Sequence, residues 1–126
     1  MKTRGEVEAA VCEGIARFMQ DFMGRGPKEI RTHLFGNLLL VRLQGILMPA
    51  EASLAAVQPT EKGRDMLKSV RTYMLEASRP RIDALVEQAT ELACVSMHHD
   101  ISTVTGEEVF VFALSSEIDL REAKRT

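Results

Sequence analysis

The sequence predicts an α+β fold, a two-layer sandwich in which a four-stranded, mainly antiparallel sheet of two hairpins carries helices on one face. Short segments with strand-type patterns flank turn signals at Gly36 and Gly106, which indicates two β-hairpins; the last of these segments is apolar on both faces. Helical periodicity precedes the first hairpin and separates it from the second, giving the order α-β-β-α-α-β-β. The chain has 126 residues, of which 45% are hydrophobic, so we expect one domain over residues 1–126.

The first helix is predicted over residues 4–23. Thr3 and Glu6 form a capping-box pattern at its start, and apolar residues then recur at helical spacing. Gly24 and Pro27 follow the last apolar residue, and a proline cannot continue a helix. The chain therefore turns before residue 28.

The first hairpin is predicted over residues 28–47, with Gly36 and Asn37 as its loop, because both residues tolerate the positive φ of tight hairpin turns. This loop places Phe35 opposite Leu38, and the rest of the register follows. One face is then apolar and faces the core. The predicted core face consists of Ile30, Thr32, Leu34, Leu39, Val41 and Leu43.

The middle of the chain is predicted to be helical. Pro49 opens a short apolar helix that packs closely on another element, and the next helix begins near Thr60. Pro80 interrupts the apolar pattern, which favours one long unit kinked at this proline. The predicted buried face before the kink consists of Met66, Val70, Tyr73, Met74 and Ala77.

The second hairpin is predicted to turn at Thr105 and Gly106, with strands over residues 93–104 and 109–114. Glu107 and Glu108 lie beside the turn and are expected to be solvated. The charged tail 121–126 is expected to fray. One predicted face consists of Val95, Met97, His99, Ile101, Phe110, Phe112 and Leu114. The other consists of His98, Asp100, Ser102, Val109, Val111 and Ala113.

The outer face of the predicted sheet, opposite the helices, carries a large apolar surface. Such a surface is unusual in a monomer and indicates a binding partner. We therefore expect a homodimer, or docking to another protein, through this face. The apolar residues predicted there are Phe35, Leu38, Leu40, Val109 and Val111.

Arg31 and Arg42 are predicted to oppose each other on the same outer face. Like charges in this position destabilise a sheet. One hypothesis is that a small anion, such as phosphate or bicarbonate, or a partner's acidic side chain lies between them. The alternative is that Glu29 neutralises Arg42 while both guanidinium groups stay in solvent.

The segment His98-His99-Asp100 is the other candidate for chemistry. Adjacent residues in a strand point to opposite faces, so His98 and Asp100 can share a face with His33 and form a metal or acid–base site if the hairpins are neighbours. The alternative is that His98 and Asp100 are surface or interface residues and His99 is a hydrogen-bonded core residue. No catalytic residue or metal ligand is assigned. The candidate ligand-binding residues are Arg31, His33, Arg42, His98 and Asp100.

Composition and motifs disfavour several function classes. A net charge of −2, one tyrosine and no tryptophan disfavour nucleic-acid binding. No apolar run approaches the roughly 20 residues of a membrane-spanning helix, and the N-terminus lacks a signal core, so a cytoplasmic location is expected. Cys12 and Cys94 lie in apolar patterns and are expected to be reduced core thiols. No phosphate-binding loop or nucleophile elbow occurs, and no cofactor is expected.

Several ordered segments carry a family resemblance. They are Gly24-Arg25-Gly26-Pro27, Ile30-Arg31-Thr32, the run from Leu43 to Glu51, Arg71, Arg79-Pro80, Val86-Glu87, Asp100-Ile101-Ser102 and Val109-Phe110-Val111-Phe112. In this order they resemble the MpsC-like family of small bacterial proteins, a domain of unknown function. Met48 departs from the pattern, since the family often has Thr there, and the cap of the short helix is affected.

The resemblance implies a link to a bacterial system that generates membrane potential by translocating Na+, or that takes up cations or inorganic carbon. A membrane transport complex is then the implied partner. The leading hypothesis is a non-enzymatic, dimeric accessory or regulatory module. The alternatives are a small-anion-binding protein that uses Arg31, His33 and Arg42, and a metal-dependent enzyme that uses His33, His98 and Asp100.

Overall fold

The computed structural model describes residues 2–121, which form helices and strands in the order α-β-β-α-α-α-β-β, with the last two long helices separated by one residue. A short π-helical segment, Met19–Met23, extends the first helix. The predicted fraying of the tail concerns residues that, apart from Arg121, lie outside the described part. The elements are α1 Arg4–Phe18, β1 Glu29–Phe35, β2 Leu38–Gln44, α2 Pro49–Ala56, α3 Thr60–Ala77, α4 Arg79–Thr90, β3 Cys94–Ile101 and β4 Glu108–Leu114.

The four strands form one antiparallel sheet in the order β1-β2-β4-β3. The two hairpins therefore join through β2 and β4, and β1 and β3 are the edges. Apolar residues of α1, α3 and α4 share one buried cluster with the inner face of the sheet. The predicted α+β class, with helices on one face, is confirmed.

The register of the first hairpin is the predicted one, from Glu29 opposite Gln44 to Phe35 opposite Leu38. Gly36 has φ +57°, whereas Asn37 has no positive φ. A positive φ at the first loop position alone is typical of a type II′ turn, which requires glycine there. The turn and the apolar alternation thus specify the same pairing.

The second hairpin has the predicted faces along most of its length, since Met97 pairs with Phe112 and His99 with Phe110. Val95 is the exception: a register shift between Cys94 and Ser96 leaves it unpaired with β4 and 66% exposed. The strand β3 is shorter than the predicted range 93–104, and β4 begins one residue before the predicted range 109–114. One expectation is wrong: Glu108 is 0% exposed rather than solvated. It begins β4 on the inner face, where its carboxylate lies beneath the helices.

The buried face of α3 differs from the predicted one. The residues that it buries are Gly63, Leu67, Arg71 and Leu75. Four of the five residues predicted to be buried are instead exposed: Met66 at 48%, Val70 at 52%, Tyr73 at 77%, and Ala77. Ser78 lies outside helical geometry, so α3 and α4 are two helices rather than one kinked unit.

Helix α2 has no buried residue, yet it lies very close to α3. The two backbones approach each other at Gly63, where a Cβ atom would collide with the carbonyl oxygen of Leu54. Only glycine leaves room for this backbone contact. The predicted close packing of the short helix therefore depends on a glycine in the helix that it contacts.

Charged side chains bind the backbone at both edges of the sheet. At β1, Glu8 accepts a hydrogen bond from the N–H of Leu34 at 2.9 Å, and Arg4 donates to the carbonyl of Leu34. At β3, Asp100 accepts a hydrogen bond from the N–H of Ile101 and pairs with Lys68 of α3. Charged groups at these positions hinder pairing with another strand.

Candidate functional site

The outer face carries the opposed arginines in the predicted geometry, but each has its own carboxylate. Arg31 pairs with Glu29 at 2.9 Å, and Arg42 pairs with Glu107 at 2.8 Å. Gln44 also donates to Glu107 at 3.2 Å. Glu29 was expected to neutralise Arg42, but it pairs with Arg31 instead. Two separate ion pairs account for the like charges without a bound anion.

The strand order separates the remaining candidate residues of the outer face. His33 lies on β1 and His98 on β3, with β2 and β4 between them. Three interstrand spacings place their backbones about 14 Å apart. Asp100 shares β3 with His98 but pairs with Lys68 at 3.0 Å. The hypothetical centre formed by His33, His98 and Asp100 is therefore not assembled within one chain.

Asp100, His33 and His99 each contact neighbouring side chains. The hydrogen bond from Lys68, followed by that from the Ile101 N–H, lowers the pKa of Asp100 below its ordinary value. His33 stacks on Phe35, with ring centroids 6.1 Å apart. The side chain of His99 is mostly buried near Phe110, and its Nε2 lies 3.7 Å from a carboxylate oxygen of Glu76. His99 thus lies on the inner side of the sheet, as the alternative interpretation expected, although 3.7 Å is too long for the expected hydrogen bond.

A buried ion-pair network lies on the opposite side of the sheet. Arg71 of α3, 2% exposed, donates to both carboxylate oxygens of Glu108 at 3.2 and 2.7 Å. Its third bond, at 2.7 Å, reaches Glu51 of α2. We call these three residues the Arg71 network. It joins α2, α3 and β4 at a place that the outer-face candidates do not approach.

The Arg71 network is held together electrostatically. Burial alone lowers the pKa of Arg71, but the hydrogen bonds and charges of Glu108 and Glu51 outweigh it, and the net pKa is raised. Glu51 also accepts a hydrogen bond from the backbone N–H of Met48 at 3.0 Å. The carboxylate thus supports the start of α2 where Met48 offers no hydroxyl cap. Nearby, Arg25 donates to the carbonyl of Leu47 at 2.7 Å.

Sequence reasoning did not identify this network. Arg71 and Glu108 are 37 residues apart, and neither lies in a local motif for chemistry. The available signal was indirect, because Arg25, Glu51 and Arg71 belong to the segments that carry the family resemblance. A bidentate arginine–carboxylate pair that is fully buried fixes the geometry of its helices and strand, so we interpret the network as structural.

The two cysteines lie in different surroundings. Burial, followed by the nearby Asp83 carboxylate, raises the pKa of Cys94 to about 11, which keeps the thiol protonated near neutral pH. Cys12 contacts the hydroxyl of Thr32 at 3.2 Å beside β1. Within residues 2–121, no three His, Cys, Asp or Glu side chains are placed as a metal site requires.

Fold and charge arrangement together define a small α+β protein with a helical layer on one side of the sheet and an uncovered face on the other. The chain belongs to the MpsC family, described as "Na+-translocating membrane potential-generating system (MpsC)", which matches residues 3–116. The resemblance predicted from the ordered segments is thereby confirmed.

The chain is also similar to a second protein over almost its whole length. Uncharacterized protein YbcI of Bacillus subtilis (strain 168) is 29% identical over 118 residues, which cover 94% of this chain and 93% of YbcI. No solved structure is significantly similar. Among the described residues, no helix has both the length and the hydropathy needed to cross a bilayer.

Proposed function

We propose that this protein is a non-enzymatic, cytoplasmic accessory module of a bacterial Na+-translocating, membrane potential-generating system. The match to the MpsC family over residues 3–116 is the observation that carries the proposal. The module acts by binding a membrane protein of that system, and the transport step belongs to the partner. The internal pairing of Arg31, Arg42 and Arg71 with carboxylates supports a binding role over a catalytic one.

The outer face of the sheet is the docking surface in this proposal. Phe35 and Leu38 oppose each other across the first hairpin and are 59% and 41% exposed. Leu40 and Val111 continue the apolar surface on β2 and β4, where both are half-buried. The ion pairs of the outer face border this surface on one side. An apolar centre beside a charged rim is the usual anatomy of a protein interface.

A photo-crosslinking amino acid at Phe35 tests the docking surface in living cells. We expect a crosslink to an integral membrane protein of the Na+-translocating system, identified by mass spectrometry. The same amino acid at Gln88, exposed on α4 in the helical layer, is the control and should not give this crosslink. Crosslinks of equal yield at both positions, or none at Phe35, would refute the docking surface.

Membrane potential provides the functional readout. Cells that lack this protein should show a smaller Na+-dependent potential in a voltage-sensitive dye assay. The wild-type gene should restore it, whereas the variant Phe35→Ser/Leu38→Ser should not, because it loses the apolar centre of the interface. An unchanged potential in cells lacking the protein would count against the assignment to this system.

Anion binding is the second candidate function, because Arg31 and Arg42 are opposed on adjacent strands. An anion would have to displace Glu29 and Glu107 from the guanidinium groups. Titration with bicarbonate and with phosphate tests it, since a ligand that binds only the folded state raises Tm. A rise that disappears in Arg31→Gln/Arg42→Gln would support binding at this pair, and a flat titration would exclude it.

A further inference from the structure

Helix α3 carries an exposed apolar stripe, formed by Met66, Val70, Tyr73 and Ala77. Their spacings of four, three and four residues follow the heptad pattern by which one helix packs along another. All four are exposed, with Tyr73 at 77%. The sequence pattern thus predicts burial of residues that the single chain leaves in solvent.

The polar residues along one border of this stripe are antisymmetric about Ser69. Lys62, Ser69 and Glu76 follow one another at spacings of seven residues, in the order positive, neutral, negative. At this spacing they lie in one row beside the stripe. A second α3 that runs in the opposite direction, with the two Ser69 residues facing each other, therefore places Lys62 opposite Glu76. Because the interface is two-fold, this opposite-charge pair occurs twice.

Both charges of this row are available for an intermolecular contact. The side chains of Lys62 and Glu76 are exposed. Within residues 2–121, no group of opposite charge lies within 4.0 Å of Lys62. Glu76 contacts His99 at 3.7 Å. By contrast, Lys68 and Arg71, on the side of α3 towards the sheet, both have carboxylate partners within 3.0 Å.

The same antiparallel arrangement brings complementary shapes together. The apolar residues of two antiparallel helices interleave, so Met66 packs beside Val70 of the second copy. Tyr73 then projects towards the start of the opposite α3, where Pro59, Lys62 and Met66 help to line an open groove of about 630 Å³. Aromatic side chains seated in such grooves often dominate the binding energy of an interface.

We propose that this protein forms a two-fold dimer through antiparallel pairing of α3 with α3 of a second copy. The proposal moves the expected dimer contact from the sheet to the helical layer and leaves the outer face free for a different protein. It does not depend on the proposed link to a membrane system. The self-complementary charge order of Lys62 and Glu76 favours a second copy over an unrelated helix.

Sedimentation equilibrium of the full chain tests the dimer. The wild type should sediment as a dimer, and Tyr73→Glu should be monomeric because it places a charge in the apolar stripe. Phe35→Ser on the outer face is the control and should remain dimeric. A monomeric wild type at high concentration, or dissociation by Phe35→Ser but not by Tyr73→Glu, would overturn the proposal.

Charge exchange tests the antiparallel register. Lys62→Glu and Glu76→Lys should each raise the dimer Kd about tenfold, because each replaces two attractive pairs with two repulsive pairs. The double variant Lys62→Glu/Glu76→Lys should return Kd towards the wild-type value. Additive weakening in the double variant would overturn this register. Circular dichroism of each variant confirms that the chain is folded.

Discussion

At the residue scale, Glu108 and Arg71 are the most deeply buried charged residues in the described part of the chain. Removing a guanidinium from water is costly, and two hydrogen bonds to one carboxylate plus a third to Glu51 offset that cost. Removing one member of the pair Arg71–Glu108 therefore affects stability differently from removing both. Losing one partner leaves a buried charge, whereas losing both leaves an apolar space.

We predict that Arg71→Met destabilises the protein by about 3–5 kcal/mol, because Glu108 remains buried without a counter-charge. The double variant Arg71→Met/Glu108→Leu should recover much of this loss, since neither charge is then buried alone. Urea denaturation of both variants measures the free energy of unfolding.

Arg79→Met is the matched control for this prediction. Arg79 also pairs with a carboxylate at 2.7 Å, that of Asp83, but both side chains are partly exposed, at 27% and 26%. The same substitution should therefore cost no more than about 1 kcal/mol. Equal losses for Arg71→Met and Arg79→Met would contradict the special role of burial in the Arg71 network.

At the scale of single elements, the first hairpin was predictable because its information is local. Gly36, the apolar alternation of β1 and that of β2 all specify one register. The predicted pairing of Arg31 with Arg42 followed from the same register. What the sequence could not specify was which carboxylate each arginine takes, because Glu107 comes from a loop 65 residues beyond Arg42.

The prediction for the buried face of α3 was wrong for a physical reason. Hydrophobic periodicity treats Gly63 and Arg71 as poor core residues, yet both are buried. Gly63 is buried because the backbone of α2 comes close, and Arg71 because Glu108 neutralises it. Neither cause appears in the local pattern. In the dimer proposed above, the exposed apolar stripe of α3 would be buried against the second copy.

Gly63→Ala should separate α2 from α3, because the added methyl group collides with the carbonyl oxygen of Leu54. We expect a loss of about 1–3 kcal/mol in the free energy of unfolding. Hydrogen exchange should accelerate in residues 49–56, since contact with α3 is the main packing of that helix.

Gly5→Ala is the control for this substitution. A Cβ at Gly5, in the first turn of α1, meets no atom within 4 Å. Alanine also favours the helix more than glycine does, so stability should stay the same or rise. If Gly63→Ala behaved like Gly5→Ala, the close approach of the two helices would be disproved.

At the scale of the whole molecule, the strand order decides which candidate residues meet. The sequence predicted both hairpins but not how they join, and the join through β2 and β4 places His33 and His98 on opposite edge strands. That order is set by long-range packing in the core. It also leaves two edge strands. Arg4 and Glu8 of α1 bind the backbone of β1, and Asp100, which pairs with Lys68 of α3, binds the backbone of β3.

The edge of β1 provides the final prediction. Arg4→Ala/Glu8→Ala removes both side chains that bind the backbone of Leu34, and it leaves that edge open for strand pairing. In a Tyr73→Glu background, which excludes pairing through α3, light scattering should then show species that grow with protein concentration. Glu13→Ala/Arg17→Ala removes an exposed ion pair of the same charges from the same helix and should not do so. Association in both variants would trace the effect to lost surface charge, whereas association in the first alone would show that α1 protects the edge of the sheet.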